Sequence, residues 1–223
     1  IPESFYKRVY VCIRRDVSEM ERYKNITVDY PGVNLVLIDV PKDSGIPEKR
    51  DAICRHWMFE NQKIWMMDDD IKIVPCHITD EKDYVIKEKE LSEESFYDLI
   101  NYSIGLLNDM PFGVIATATF VKGKDIFPIG LNRWGAFSSF INLEKLSADD
   151  LGYTKVRYYE DVAAFCGAIN KGFNNFYITK WQLVIGKEKE GGNASARHAD
   201  VMQEAAYELN KLYPKHIKIG RAS

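Results

Sequence analysis

No stretch of about 18 consecutive apolar residues occurs in this sequence, so a membrane-spanning helix is not expected. The opening residues, IPESFYKRVYVCIRR, lack the basic-then-apolar order of a signal peptide. Cysteine is scarce: Cys12, Cys54, Cys76 and Cys166 are scattered without a CxxC spacing. That argues against a disulfide framework or a zinc site and for a reducing compartment, with the thiols serving as small core residues. An excess of positive charge is also missing. The net charge of −3 and pI near 5.9 exclude a broadly basic nucleic-acid coat, although not a local basic groove. There is no P-loop, no spaced EF-hand ligand set, no internal repeat and no low-complexity linker.

What is present is an ordinary globular composition, 46% hydrophobic and 28% charged, over 223 residues. That length suits one α/β domain with a substantial core. Residues 8–14 (RVYVCIR) read as a half-buried strand, followed by a polar helical stretch over 19–24. Residues 34–40 (NLVLIDV) form a nearly continuous apolar run, the pattern of an interior strand in a parallel sheet. Pro47 suits the first turn of a helix running to about Asn61. Residues 63–67 (KIWMM) predict a short strand and 71–74 a further extended segment. Ser92 and the acids after it open an amphipathic helix to about Asp109, with Phe96, Leu99, Ile100 and Leu107 near helical spacing. Strands are predicted over 113–120 and 137–143, then a helix over 159–171 stopped by Gly172. Extended segments over 173–178 and 181–185 precede a last helix at 199–212. Strand–helix alternation followed by mixed elements predicts a doubly wound mixed sheet flanked by helices.

The strongest chemical signal is the triplet Asp68-Asp69-Asp70 directly after an apolar strand. Adjacent carboxylates repel, and burying them uncompensated is costly. At the carboxyl end of a parallel strand they face the crevice where such sheets bind ligands. A hard divalent cation, Mn²⁺ or Mg²⁺, resolves the repulsion; a solvated acidic turn is the alternative. A second acidic site, Glu160-Asp161 in RYYEDVAAF, opens a predicted helix. Acids there compensate the helix dipole, or one of them serves as a general base for an attacking hydroxyl. Asp161 is the first candidate and Glu160 the second.

An aspartate triplet closing an apolar strand, followed about 90 residues later by an acidic pair opening a helix, resembles the GT-A glycosyltransferases. Within them the chain is similar to the glycosyltransferases associated with TET-type dioxygenases in phages, related to the base J glucosyltransferases. The segments that carry this are the opening strand, GIPEKR at 45–50, WMMDDDI at 65–71, RWGAF at 133–137 and RYYEDVAAF at 157–165. The resemblance implies a single GT-A-like domain, with a nucleotide-sugar-binding half over about 1–110 and an acceptor and base half over about 111–223. It implies that Asp70 binds the metal directly, and that Asp68, with Asp69 beside it, holds sugar or ribose and supports the metal. Arg50 would contact the nucleotide or its phosphates, and Trp134-Gly135 would form a close-approach loop beside the sugar. A late histidine and a neighbouring cation, His198 and Arg197, match a further metal ligand and a diphosphate contact; His56 and His77 have weaker claims. The glycine-rich stretch 186–193 would act as a lid.

The donor implied is a nucleotide-diphosphate sugar, UDP-linked first among them, and the acceptor a 5-hydroxymethylpyrimidine in DNA reached by base flipping or in a single strand. Lys122, Lys124, the tail at 211–218 and the aromatics Tyr158 and Tyr159 are candidate acceptor contacts. With an acid as base, inversion at the anomeric carbon is expected. Other readings are transfer to a glycan or protein, a nucleotidyltransferase, and a noncatalytic nucleotide-sugar or metal-binding module. No obligate protein partner is implied. The expected location is cytoplasmic, the host cytoplasm for a phage-encoded chain.

Overall fold

One mixed sheet, covered on both faces by helices, carries most of the buried side chains. The computed structural model describes residues 1–60, 62–68, 71–75, 77–80, 83–85, 91–117, 128–136, 138–185 and 199–219. In chain order the first part comprises β1 (Tyr10–Arg14), α1 (Val17–Tyr23), α2 (Ile26–Asp29), β2 (Asn34–Ile38), α3 (Ile46–Met58), β3 (Lys63–Met67) and β4 (Ile71–Pro75). The hairpin β5 (His77–Asp80) and β6 (Asp83–Val85) leads to α4 (Glu93–Leu106), β7 (Phe112–Thr117), β8 (Ile129–Leu131) and β9 (Ser138–Asn142). Then come α5 (Ala148–Leu151), a 3-10 turn at Tyr153–Lys155, α6 (Glu160–Asn170), β10 (Asn175–Ile185) and α7 (Ala199–Leu212).

The main sheet runs β3-β9-β7-β10-β4, with β8 also on β10. The β7/β10 pair is parallel, whereas β9 is antiparallel to β3 and β7, and β4 and β8 are antiparallel to β10. Its two faces follow from the two-residue side-chain period of a strand. Phe112, Val114, Ala116, Ile141 and Tyr177 pack with Cys54, Leu146, Leu151, Tyr153 and Ala164 beneath α3, α5 and α6. The alternate residues Ile115, Phe140, Phe176 and Ile178 pack with Leu99, Leu107 and Trp181 on the α4 side. Helix α7 closes on α6 through Leu209, Tyr213, Ala163 and Cys166. Cys12, Cys54 and Cys166 are free thiols, the last two buried, as expected of core cysteines; Cys76 lies outside the described residues.

Local signals account for the helix ends. The Ser92 hydroxyl accepts from the Ser95 N–H, and the Gly45 N–H donates to the Glu48 carboxylate at 2.8 Å, with Pro47 in the first turn of α3. Gly172, at φ +95°, stops α6 in a conformation that side chains disfavour. Two expectations change. The apolar run 34–40 is not an interior strand: among the described strands β2 pairs, in parallel, with β1, and only Ile38 in it is buried. The two segments expected over 173–178 and 181–185 are one strand, β10, kept continuous by a register shift between Ile178 and Gln182 against β7.

Strands β3 and β4 sit at opposite ends of the sheet path, yet only residues 68–70 separate them in sequence. A flat path of five strands would hold them roughly 19 Å apart. The chain from Met67 to Ile71 can span at most about 14 Å. The sheet is therefore strongly twisted and curled, so that its two ends approach at the aspartate connection.

Candidate active site

Three elements meet at Asp68. β3 delivers it at the strand's carboxyl end, on the same side of the sheet as the carboxyl ends of β7 and β10, which run parallel to β3 through the antiparallel β9 between them. This is the side on which open α/β sheets bind ligands. Trp65, three residues earlier, is fixed by stacking on Phe140 and by donating from its indole N–H to the Ser138 hydroxyl at 2.7 Å. From α3, Arg50 places one terminal nitrogen 3.0 Å from Asp68 Oδ1 and the other 3.2 Å from Glu160 Oε1. Glu160 is the first residue of α6. The two acidic motifs read from the sequence thus converge on one guanidinium.

The site is poorly solvated. The side chains of Arg50, Asp68 and Glu160 are 12%, 29% and 16% exposed. Burial alone would lower the pKa of Arg50, but Asp68, with Tyr153 and Glu160, more than offsets this and the guanidinium stays charged. Asp161, next to Glu160, is pushed up to about 6, first by desolvation and second by the Glu160 charge. Arg50 and the Val162 N–H, which donates to Asp161 Oδ1 at 2.8 Å, act in the opposite direction. The environment therefore divides the pair. Glu160 is tied up in an ion pair, and Asp161 is a carboxyl poised near neutrality.

Two further features were not legible in the sequence. Tyr159, at the start of α6, has φ 62° and ψ 33°, a left-handed conformation that costs a bulky residue about 1–2 kcal/mol. Strain of this kind immediately before the two acids is held by the packing of Tyr159 with Val156 and Ala163. Tyr153 is fully buried near Arg50, Cys54 and Asp161, and burial raises its phenol well above the ordinary tyrosine range, so it stays neutral. Ser139 lies beside its hydroxyl, but no hydrogen bond of normal geometry joins them. Tyr153 belongs to no chemical motif, and although Tyr159 lies in RYYEDVAAF, nothing in the sequence marks its left-handed backbone.

The remaining predicted residues divide as follows. Asp69, Asp70, Arg197, His198, Lys122 and Lys124 lie outside the described residues, as does the stretch 186–193. Trp134 is 39% exposed, in the loop that enters β9 opposite Met67. Gly135 is required by protein packing, because a Cβ there would lie 2.7 Å from Val114 Cγ2. Tyr158 is buried with Arg157 over its ring, and Tyr159 packs toward α7, so both are partly used by the core. His56 is exposed on α3 against Trp57; of His77 only the backbone, in β5, is described.

The donor chemistry of Asp68, a part-exposed carboxylate followed in sequence by two more, fits a hard divalent cation. Among the described residues no group of three or more acids, cysteines or histidines is arranged to hold one. A concavity of about 330 Å³ among the described residues lies along α7, lined by Asp200, Glu204, Tyr207 and Glu208; it includes none of Asp68, Glu160 and Asp161 and is a helix surface.

Comparison with known proteins finds relatives among the phage glycosyltransferases. In particular, the chain is 29% identical over 195 residues to the Beta-glucosyl-HMC-alpha-glucosyl-transferase of Enterobacteria phage T2, and equally to the protein of that name from phage T6. Each alignment covers 85% of this chain and 69% of the relative. No family model matches the chain, and no solved structure matches it. Among the described residues no helix is long and apolar enough to cross a membrane.

Proposed function

We propose that this protein transfers a sugar from a nucleotide-diphosphate sugar to a hydroxyl on a hydroxymethylpyrimidine-based acceptor in DNA, with Asp161 as the general base. The observation that carries the reading is the convergence of Asp68 and Glu160 on Arg50, which brings the two acidic motifs into one site. The likeness to two phage glucosyltransferases whose name contains HMC, hydroxymethylcytosine, supports the reaction class and the acceptor.

In this reading the domain has a GT-A-like division, with the donor held by the half that includes Arg50 and Asp68. Asp70, Asp68 and His198 would hold Mn²⁺ or Mg²⁺. When bound, such a cation neutralises charge on the departing diphosphate. Asp69, Arg197 and the Trp134-Gly135 loop are proposed donor contacts. Asp161 accepts the acceptor's hydroxyl proton as the oxygen attacks the anomeric carbon. The bond from that carbon to the diphosphate oxygen breaks, and the nucleoside diphosphate leaves with the electron pair. A direct displacement inverts the anomeric carbon.

The test is release of nucleoside diphosphate from a panel of UDP- and other nucleotide sugars with Mn²⁺. Acceptors are unmodified DNA, hydroxymethylcytosine DNA and glucosylated hydroxymethylcytosine DNA. Stimulated release with a hexose mass added to the modified base is the expected result. Release that no DNA stimulates would move the acceptor to glycans or proteins, and no release with any donor would leave a binding module. Retention at the anomeric carbon, read by NMR of the product, would overturn direct displacement.

A further inference from the structure

We propose that Arg50 is a positioning residue, a two-armed strap that fixes the distance between the donor-side carboxylate Asp68 and the helix turn carrying Asp161. The inference rests on the transferase reading for its kinetic test. It differs from the direct phosphate contact that the sequence suggested for Arg50.

The geometry argues for it. The two terminal nitrogens of Arg50 go to different carboxylates, 18 and 110 residues away in sequence, so the contact joins the end of β3 to the start of α6 through α3. A rigid planar fork can do this, whereas a lysine presents a single charge centre on a flexible stem. With the side chain largely removed from water, both arms are needed: loss of either partner leaves a poorly solvated charge. Each of the three elements is also fixed by its own contacts. α3 begins one turn earlier at Pro47 and the Gly45–Glu48 pair, and Cys54, one turn later, is buried. α6 begins at the strained Tyr159, and β3 is held by Trp65 on Phe140. The strap thus spans rigid elements, and its length sets the separation of two functional carboxylates. Asp161 is faced by Glu160 on its own helix, by Arg50 on α3, and by Tyr153, whose hydroxyl also faces Cys54.

The experiment compares the wild-type chain with Arg50→Lys, Arg50→Gln and Glu160→Gln. UDP with Mn²⁺ is the binding probe, and kcat and the ¹³C NMR titration of the Asp161 carboxyl are measured in parallel. Arg50→Gln is expected to lower kcat roughly 100-fold, as an ångström-scale misplacement does. UDP affinity should change by less than about threefold, because the guanidinium positions protein groups and not the donor. Arg50→Lys should fall between, and the Asp161 midpoint should rise in Arg50→Gln as a cation is removed. A parallel loss of UDP affinity would make Arg50 a donor ligand and overturn the proposal, as would an unchanged kcat. Where Arg50→Gln does not fold, Glu160→Gln cuts one arm only, and the same split between kcat and UDP affinity decides. A wild-type protein inactive on every donor and acceptor would sink the transferase reading alone. The strap is then judged by the Asp161 midpoint in Arg50→Lys, where a displaced charge should raise it and no change refutes the strap.

Discussion

The indole of Trp65 lies nearly flat on the ring of Phe140, with centroids 4.8 Å apart and planes 19° from parallel. The pair joins β3 to β9 at residues that are also register partners, three positions before Asp68. Stacking adds about 1 kcal/mol to the burial of such rings. Trp65→Ala should therefore lower unfolding free energy by roughly 3 kcal/mol in urea denaturation. Trp65→Phe keeps a ring but loses the donation to Ser138, and should cost nearer 1 kcal/mol.

Asp161 gives a pH prediction with a definite sign. Its carboxyl is raised from the ordinary aspartate value of 3.8 to about 6 in the folded protein. The folded state then holds a proton that the unfolded state has released, so the contribution is fully present below about pH 4 and lost as pH rises through 6. Asp161→Asn should stabilise the protein at pH 7 by about 2 kcal/mol, somewhat under the full linkage value because the residue keeps some solvent contact, and have little effect at pH 3.5–4. If Asp161 is the base, wild-type kcat falls below about pH 6 with the slope of one proton. A flat rate between pH 5 and 8 would remove Asp161 from that role.

A pair of glycines separates packing from propensity. At Gly167 in α6 an added Cβ would lie 2.1 Å from the backbone oxygen of Asp150, and backbone cannot give way as a side chain can. Gly167→Ala should push α6 from α5 and cost at least about 2 kcal/mol. At Gly105 in α4 an added Cβ meets nothing within 4 Å, and Gly105→Ala should stabilise by roughly 0.5 kcal/mol. Thermal melts of both variants, run together, give the contrast.

Metal removal tests the proposed ligands. Dialysis against EDTA should abolish sugar transfer, and Mn²⁺ or Mg²⁺ should restore it, since carboxylate oxygens favour hard ions. Asp70→Ala should remain inactive at any Mn²⁺ concentration. Transfer that continues undiminished in EDTA would assign the neutralising role to protein cations such as Arg197.

Much of the frame was readable because the local signals were strong. β3 occupies residues 63–67 and α7 residues 199–212, as their patterns predict, since an apolar run ends at charges in one and a helical stripe is uninterrupted in the other. Both acidic motifs were legible as composition, Asp68 after a strand and Glu160-Asp161 opening a helix. What joins them was not. Arg50 looks in sequence like any helical cation, and its partners are set by the tertiary path. β10 hid its continuity, because Thr179 and Lys180 read as a break where the structure has a register shift. β2 reads as interior because apolarity measures what a strand tolerates, and pairing decides where it lies.

The curl that brings β3 and β4 together gives the aspartate connection a mechanical role as well as a chemical one. It joins the two ends of the sheet path through three residues, fewer than a flat path of five strands would need. Deleting one residue of 68–70 would cut the reach of the connection by about 3.5 Å, and with it the widest separation the two ends could adopt. Adding one would extend that limit by about as much. The curvature of the sheet and the spacing of its carboxylates are then one adjustable quantity, and loop-length variants with intact acids would tune it.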